Sequence, residues 1–422
     1  MIEQYFATVH TYFPIISKIR LYQHLANPLH EPGADIALLF LAMKLVCGEV
    51  PDGQPPQTQL YQDVKSFYGY VEAQNGFSIQ LIQSLCLIGL YEAGHCIYPA
   101  SYLTIGNSAR LGHAMGLHAR GVPQMISRAT TWTEQEERRR VWWGVIVLDR
   151  FINIGHRGKP FATNDPGLDN HLPTDDTAWD RGQMLVAAPL SLSASQTIQV
   201  SPFARTCQAA HLLGKVIAHI DDKHLPLTYR FSEALQLNRT LRALADILQD
   251  QCGPDSLDGD VATADLCSSM ALIFSGLLTL YDAYSCTEQA STAHLAADGT
   301  EHNNSNGNGN GATLGEEQLQ VQKASIEGLE EISSRALILT RTMRRTIDTR
   351  GAGTISPLCV DVVYQAAANY AWYVRESSDP WCSERLVELK ELLVLLDRRW
   401  KVAGEYLRIV EAAEFYLQSA IR

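Results

Sequence analysis

Three groups of side chains in this sequence have types and spacings that could carry chemistry. Arg138, Arg139, Arg140, Asp149 and Arg150 crowd one stretch and could form a phosphate or acidic-ligand site, because guanidinium groups bind oxyanions in a fork. His113 and His118 could ligate a metal, and Asp175, Asp176 and Asp180 concentrate carboxylates of the kind that hold Mg²⁺. Each group also has a plainer structural account. Glu136 and Arg140 form an i,i+4 pair of the favoured orientation, and an Asp149 buried on the same helix needs a cationic partner. Helix-holding ion pairs are therefore the preferred reading of the arginines. The two histidines are spaced i,i+5 rather than the i,i+4 that lets imidazoles share one ion on a helix face, so no metal site is expected. The aspartates follow Pro173, precede Gly182 and lack a second metal-binding constellation, which makes them solvated loop charge. No G-x-S-x-G, P-loop or dinucleotide fingerprint occurs, nor a nucleophile with an identifiable base. The chain is not expected to be an enzyme.

Composition narrows the classes further. The 422 residues are 46% hydrophobic and 19% charged, with a formal net charge of -12, an ordinary globular balance. A surface of that sign repels phosphate backbones. The densest basic run, Arg138 to Arg140, sits behind Glu134, Glu136 and Glu137, so its charge is locally offset. Direct DNA binding by this chain is not expected. The nine cysteines include no C-x-x-C, which speaks against a zinc knuckle or a disulfide framework and for a reducing compartment. The N-terminus has no basic n-region. The longest apolar run, Ile36 to Val46, contains Lys44 and is too short to cross a bilayer. A soluble intracellular protein is expected.

The elements that position these residues read as helices throughout. Apolar residues recur at three- and four-residue steps near 33–47, 77–97, 200–222, 227–250, 262–286, 316–348 and 357–375. A last helix is expected from Ser383 to Ala420. The fold class is all-α, a multi-helix body with no β-sheet. Residues 1–296 form its main part, 297–315 an Asn/Gly-rich disordered insertion, and 316–422 C-terminal helices packing on the same body. A capping box at Thr133 to Glu136 starts a helix that is apolar all round from Val141 to Leu148, and that helix should be central. Before it, Gly106, Ala109, Gly112 and Gly116 share a face where another backbone can approach closely. The long stretch from Gly155 to Pro202 is rich in Pro, Asp and Ser, and loops of that length are often functional.

In order along the chain stand Ala109, Arg110, Gly116-Leu117-His118, then Glu136 to Trp143 with Arg139, Arg140, Trp142 and Trp143, then Leu148-Asp149-Arg150, Gly158-Lys159-Pro160 and Leu172-Pro173. This series resembles the fungal-specific transcription factor domain, the regulatory middle region of fungal binuclear zinc-cluster activators. Two departures are Gly112 for a second small residue and Lys159 where an arginine is usual. The lysine removes a forked guanidinium. The resemblance covers most of the chain and implies an all-helical, non-catalytic domain that senses an effector and controls transcription, with metabolic genes as one class of target. It implies partners in the transcription machinery or a DNA-binding regulator, a small-molecule effector, a homodimer as one possible assembly, and a nuclear or nucleo-cytoplasmic location. The six-cysteine head of that family is not matched here, so no cofactor is expected. Zinc would belong only to a cysteine-cluster head missing from this chain. Two alternatives remain open: a headless paralogue that modulates a full-length regulator, and an all-helical enzyme or small-molecule-binding protein. The expected contact point for a ligand or partner is the loop bearing His156, Arg157, Lys159 and Phe161. It leaves the end of the most buried helix, although it also reads as a surface connection whose basic residues neutralise that helix end.

Overall fold

The computed structural model describes residues 1–27, 33–51, 53–119, 125–156, 158–168, 170–184, 190–192, 200–252, 264–285, 310–377 and 379–419. Its N-terminal part is built of α1 (Ile2–Ala7), α2 (Val9–Tyr12), α3 (Lys18–Ala26), α4 (Ala34–Cys47), α5 (Gln59–Ala73), α6 (Ile79–Gly94), α7 (Ala100–Ala114) and α8 (Trp132–Phe151). After the short α9 (Asp176–Asp180) come α10 (Pro202–Asp221), α11 (Leu227–Cys252) and α12 (Cys267–Ser285). The chain closes with α13 (Asn310–Arg350), α14 (Val360–Ser377), α15 (Pro380–Asp397) and α16 (Lys401–Ser419). Among the described residues there is no strand, only an isolated bridge between His171 and Ser191.

One apolar core runs from Tyr5 to Val410 and draws on nearly every helix. α8 lies inside it: every residue from Val141 to Leu148 is buried, as the all-round apolar octet requires. The N-cap of α8 differs from expectation. It is Thr131, whose Oγ1 accepts from Glu134 N at 3.1 Å, while Glu134 Oε2 accepts from Thr130 N at 3.1 Å. The T-x-x-E spacing recurs two residues earlier than Thr133, and starting there sets Glu134 among the free N–H groups of the first turn.

The glycine face also resolves differently. A Cβ at Gly112 would lie 2.5 Å from the Trp142 ring, so here α7 and α8 do approach closely; at Gly106 a Cβ would meet open space. Gly116 is not on the helix at all. It has φ +71° just beyond α7, and Leu117 N donates to Gly112 O across it, an ending that favours glycine.

The expected helix from Ser383 to Ala420 is two helices, broken at Arg398 to Trp400. Arg399 turns inward to donate to Gly48 O (3.2 Å) and Val46 O, and Trp400 Nε1 donates to Ile355 O (2.8 Å). These distant acceptors override a locally continuous stripe and fasten the end of the chain to α4. Of the expected disordered insertion, 297–309 lies outside the described residues, and α13 begins at Asn310, so 310–315 are helical. Among the described residues no helix is long and apolar enough to cross a membrane.

Candidate functional site: a buried charge network on the central helix

The sequence EERRR at 136–140 sets five charges on the first turns of α8, and helical spacing decides which of them meet. Glu136 and Arg140 are fully buried and paired, Nε to Oε1 at 3.0 Å, with Arg139 on the other carboxylate oxygen. Glu136 Oε1 also accepts from Thr174 N at 2.8 Å. Arg140 Nη1 donates to Asp176 Oδ1 (2.7 Å) and Pro14 O (3.4 Å), and Nη2 to Thr174 O (2.8 Å). Its guanidinium lies 4.1 Å from the centroid of the Trp179 ring. Asp176 Oδ2 in turn accepts from Phe203 N at the start of α10 (3.1 Å). Burial works against the Arg140 charge, but Asp176 and Glu136 outweigh it and hold the guanidinium above its ordinary value.

Glu137 faces the other way. It accepts from Ser17 N (2.8 Å), Gln83 Nε2 (3.0 Å) and Arg20. Burial pushes its carboxyl above the usual carboxylate value even though these partners pull it down. Arg138 pairs with Glu134 at 2.7 Å. The basic run is thus spent on internal carboxylates.

The far end of α8 holds a second cluster. Arg150 Nη1 donates to Asp149 Oδ2 (2.7 Å) and Thr163 Oγ1 (2.9 Å), and Nη2 to the carbonyls of Thr163 and Asn164 (both 3.2 Å). Asp149 also accepts from Ala162 N and Thr163 N. The Phe161 ring centroid is 4.0 Å from the Arg150 guanidinium, so its apolar face is already covered. Burial lowers the Arg150 value, and Asp149 and Asp165 only partly offset it.

Most of the residues singled out in the sequence fall into four places. Glu136, Arg139 and Arg140 meet at the first cluster, and Asp149, Arg150 and Phe161 at the second. Trp142 packs with His113 and His118, ring centroids 5.1 and 6.2 Å away, and Trp143 Nε1 donates to His171 O at 2.8 Å. His113 and His118 face each other at 4.7 Å. His156 stacks on Tyr98 at 4.4 Å, and the Lys159 ammonium sits 4.3 Å from the same ring while bonding its hydroxyl. Arg110 is exposed on α7, Gly116 ends that helix, and Arg157 lies outside the described residues. Among the described residues no group of three or more His, Cys, Asp or Glu is placed to hold a metal.

Asp175 and Asp176 correct the reading of solvated loop charge. Asp175 Oδ1 caps α9 by accepting from Ala178 N at 2.8 Å, and Asp176 completes the Arg140 network. The signal available was the cap itself, an aspartate just after Pro173 and ahead of a short apolar stretch.

The central helix of this all-helical body is thus tied by buried ion pairs to segments on either side. The chain belongs to the fungal specific transcription factor domain family, whose model matches residues 2–220 and so takes in the whole of α8. It is a transcription regulator of fungal type. It is 38% identical over 138 residues to Transcription factor BOA15 of Botryotinia fuckeliana, covering 33% of this chain and 77% of that protein. Transcription factor tazR of Aspergillus terreus is 29% identical over 222 residues, 51% of this chain and 35% of its own length. The pigment biosynthesis transcriptional activator pigB of Monascus ruber is 26% identical over 229 residues, 51% of this chain and 41% of its own length. No solved structure matches.

Proposed function

We propose that this chain is a non-catalytic sensing body that works in the nucleus and controls a set of biosynthetic genes, answering to an effector or a protein partner. The observation that carries the reading is the Arg140 network. One fully buried guanidinium joins α8 to the Pro14 segment, to the Thr174 turn and, through Asp176, to the first residue of α10. A displacement of any of these is felt by the others, because close-packed interiors shift between discrete arrangements rather than deform smoothly. The kind of gene set follows from the relative named for pigment biosynthesis.

The test is a reporter assay in a fungal host, with this chain fused to an unrelated DNA-binding head. Reporter output should differ from that of the head alone and should fall in Arg140→Gln at equal protein level. Output equal to the head alone, with the fusion folded and nuclear, overturns the reading. A chain that is silent when fused but alters a co-expressed full-length regulator would make it a partner-binding modulator instead.

A further inference from the structure

A groove of about 600 Å³ lies between α3 and the end of α9. Its floor is apolar, made by Ile19, Ala26 and the ring of Tyr22, which stacks on Phe6 at 6.2 Å. Its rim is cationic. Among the described residues neither Arg181 nor Lys18 makes an ion pair; both are exposed, and the Lys18 ammonium lies 5.5 Å from the centroid of the Phe6 ring. Asp180 also lines the groove, with Oδ1 bonded to His10 Nε2 at 3.0 Å and its side chain partly exposed, so the rim carries two cations against one carboxylate. A positive rim on a chain of net charge -12 is a local reversal of sign, and anions are drawn to it.

Both walls of the groove are fastened to α8. The α3 wall begins at Ser17, whose N–H is held by Glu137, and Arg20 of the same helix pairs with that carboxylate. The α9 wall is held by Asp176 and Trp179, both against Arg140. The walls touch at the base, where a Cβ on Gly182 would stand 2.6 Å from Ile19 Cδ1 and where the glycine has φ +65°.

We infer that this groove is the effector site of the regulatory body, and that its ligand is a small amphipathic organic acid. The apolar part would lie on Ile19, Tyr22 and Ala26, and the carboxylate between Lys18 and Arg181. The inference rests on the sensing role proposed above. The groove is open and short, so it admits a small molecule laid along α3, whereas an amphipathic peptide helix needs a seam several turns long. The ligand bridges two walls attached to Glu137 and Arg140, so its binding free energy acts on the arrangement of both around α8.

The experiment is calorimetric titration of the purified full chain with 2-naphthoate, using the uncharged 2-naphthamide as control. Saturable one-site binding of naphthoate is expected, with the amide at least ten-fold weaker. Lys18→Ala with Arg181→Ala should weaken naphthoate at least ten-fold, and Ala26→Trp should fill the groove and abolish binding. All three side chains are exposed, so the melting temperature should fall by no more than the loss of the exposed Lys18–Phe6 contact; should the tryptophan variant not fold, the double alanine variant still decides. Hydrogen exchange should slow in 17–26 and 175–182 when naphthoate is bound. The inference is overturned if naphthoate does not saturate, if the amide binds equally well, if the alanine variant binds like the parent, or if only an acidic amphipathic peptide binds. Binding in vitro with a silent reporter would leave the groove standing and retire the regulatory reading.

Discussion

Arg140 and Arg150 lie ten residues apart on α8, about 15 Å along its axis, both buried and both paired to aspartate. Arg140 has two carboxylates, and its partners come from sequence separations of 34 to 126 residues as well as from its own helix. Arg150 has one, supplied by the preceding residue, and its other partners lie 13 or 14 residues on. The Arg150 Nε has no partner among the described residues, whereas all three nitrogens of Arg140 are bonded. Burial depresses the Arg150 value, while at Arg140 the two carboxylates prevail over it. One arginine binds remote parts of the fold to each other, and the other closes the loop that follows its own helix.

The largest consequence should be seen on truncation. Arg140→Ala leaves Glu136 with Arg139 and Thr174 N and Asp176 with Phe203 N, but removes the guanidinium the two carboxylates share and should cost about 3–5 kcal/mol, the range for breaking a buried pair. Arg150→Ala leaves Asp149 with the N–H groups of Ala162 and Thr163 and the Thr163 hydroxyl. It should cost about 1.5–3 kcal/mol, the scale of hydrogen bonds to a charged group. Denaturant midpoints measure both, and a reversed order would break the comparison.

Gly214 sharpens it. The glycine on α10 lets the Arg150 side chain pass, since a Cβ there would sit 2.6 Å from Arg150 Cδ and Nε. Gly214→Ala should cost about 1–3 kcal/mol by overpacking and much less in an Arg150→Ala background. Equal costs in both backgrounds would show that the alanine is opposed by something other than the arginine.

Acid should act on the two ends with opposite sign. Near Arg150, burial works against the Asp165 charge but His211 and Lys215 outweigh it, so the carboxyl falls to about 2 from an ordinary 3.8. A depressed folded value gives stability that is present above pH 3.8 and lost as pH falls toward about 2. Glu137 near Arg140 is raised by burial, so its contribution improves as pH falls through its raised value toward the ordinary one. Asp165→Asn should flatten the acid limb of a stability–pH curve between about 3.8 and 2. Its cost at neutral pH should be under about 1 kcal/mol, because the group is partly exposed and solvent-screened. Glu137→Gln should leave that limb in place. An Asp165→Asn curve parallel to the parent's would contradict the assignment.

The smallest effect is expected in the loop after α8. Lys159 lies over Tyr98 and Tyr102 at the surface, and Lys159→Ala should cost about 0.5–1 kcal/mol, the scale of an exposed cation–π contact. A thermal melt reads it, and a loss above about 2 kcal/mol would place this latch alongside the buried clusters.

The legibility of the molecule follows the same division between local and remote. Val141 to Leu148 declared a buried helix because eight consecutive apolar residues leave it no solvent face, and Glu136–Arg140 declared itself by spacing. Asp176 did not, because nothing in a loop aspartate 36 residues away marks which guanidinium it meets. Arg399 and Trp400 likewise continue a periodic stripe in sequence, and only the carbonyls of Val46, Gly48 and Ile355 make the chain turn there. Gly116 was misplaced onto a helix face because a helix-ending glycine and a packing glycine look alike until the backbone φ is known. The groove by α3 had no signature at all, since Lys18, Ile19 and Arg181 are brought together only by the fold, through the Glu137 and Asp176 attachments and the close approach of Gly182 to Ile19.

Peptide-resolved hydrogen exchange on Arg140→Gln and Arg150→Gln, under conditions where both remain folded, tests the account most directly. Arg140→Gln should speed exchange in four separated places: 13–17, the first turns of α8, 174–182 and the start of α10. Arg150→Gln should confine its effect to the last turn of α8 and 158–168. If Arg140→Gln disturbs only its own helix, or Arg150→Gln reaches the N-terminal segment and α9, then α8 does not join the body through Arg140.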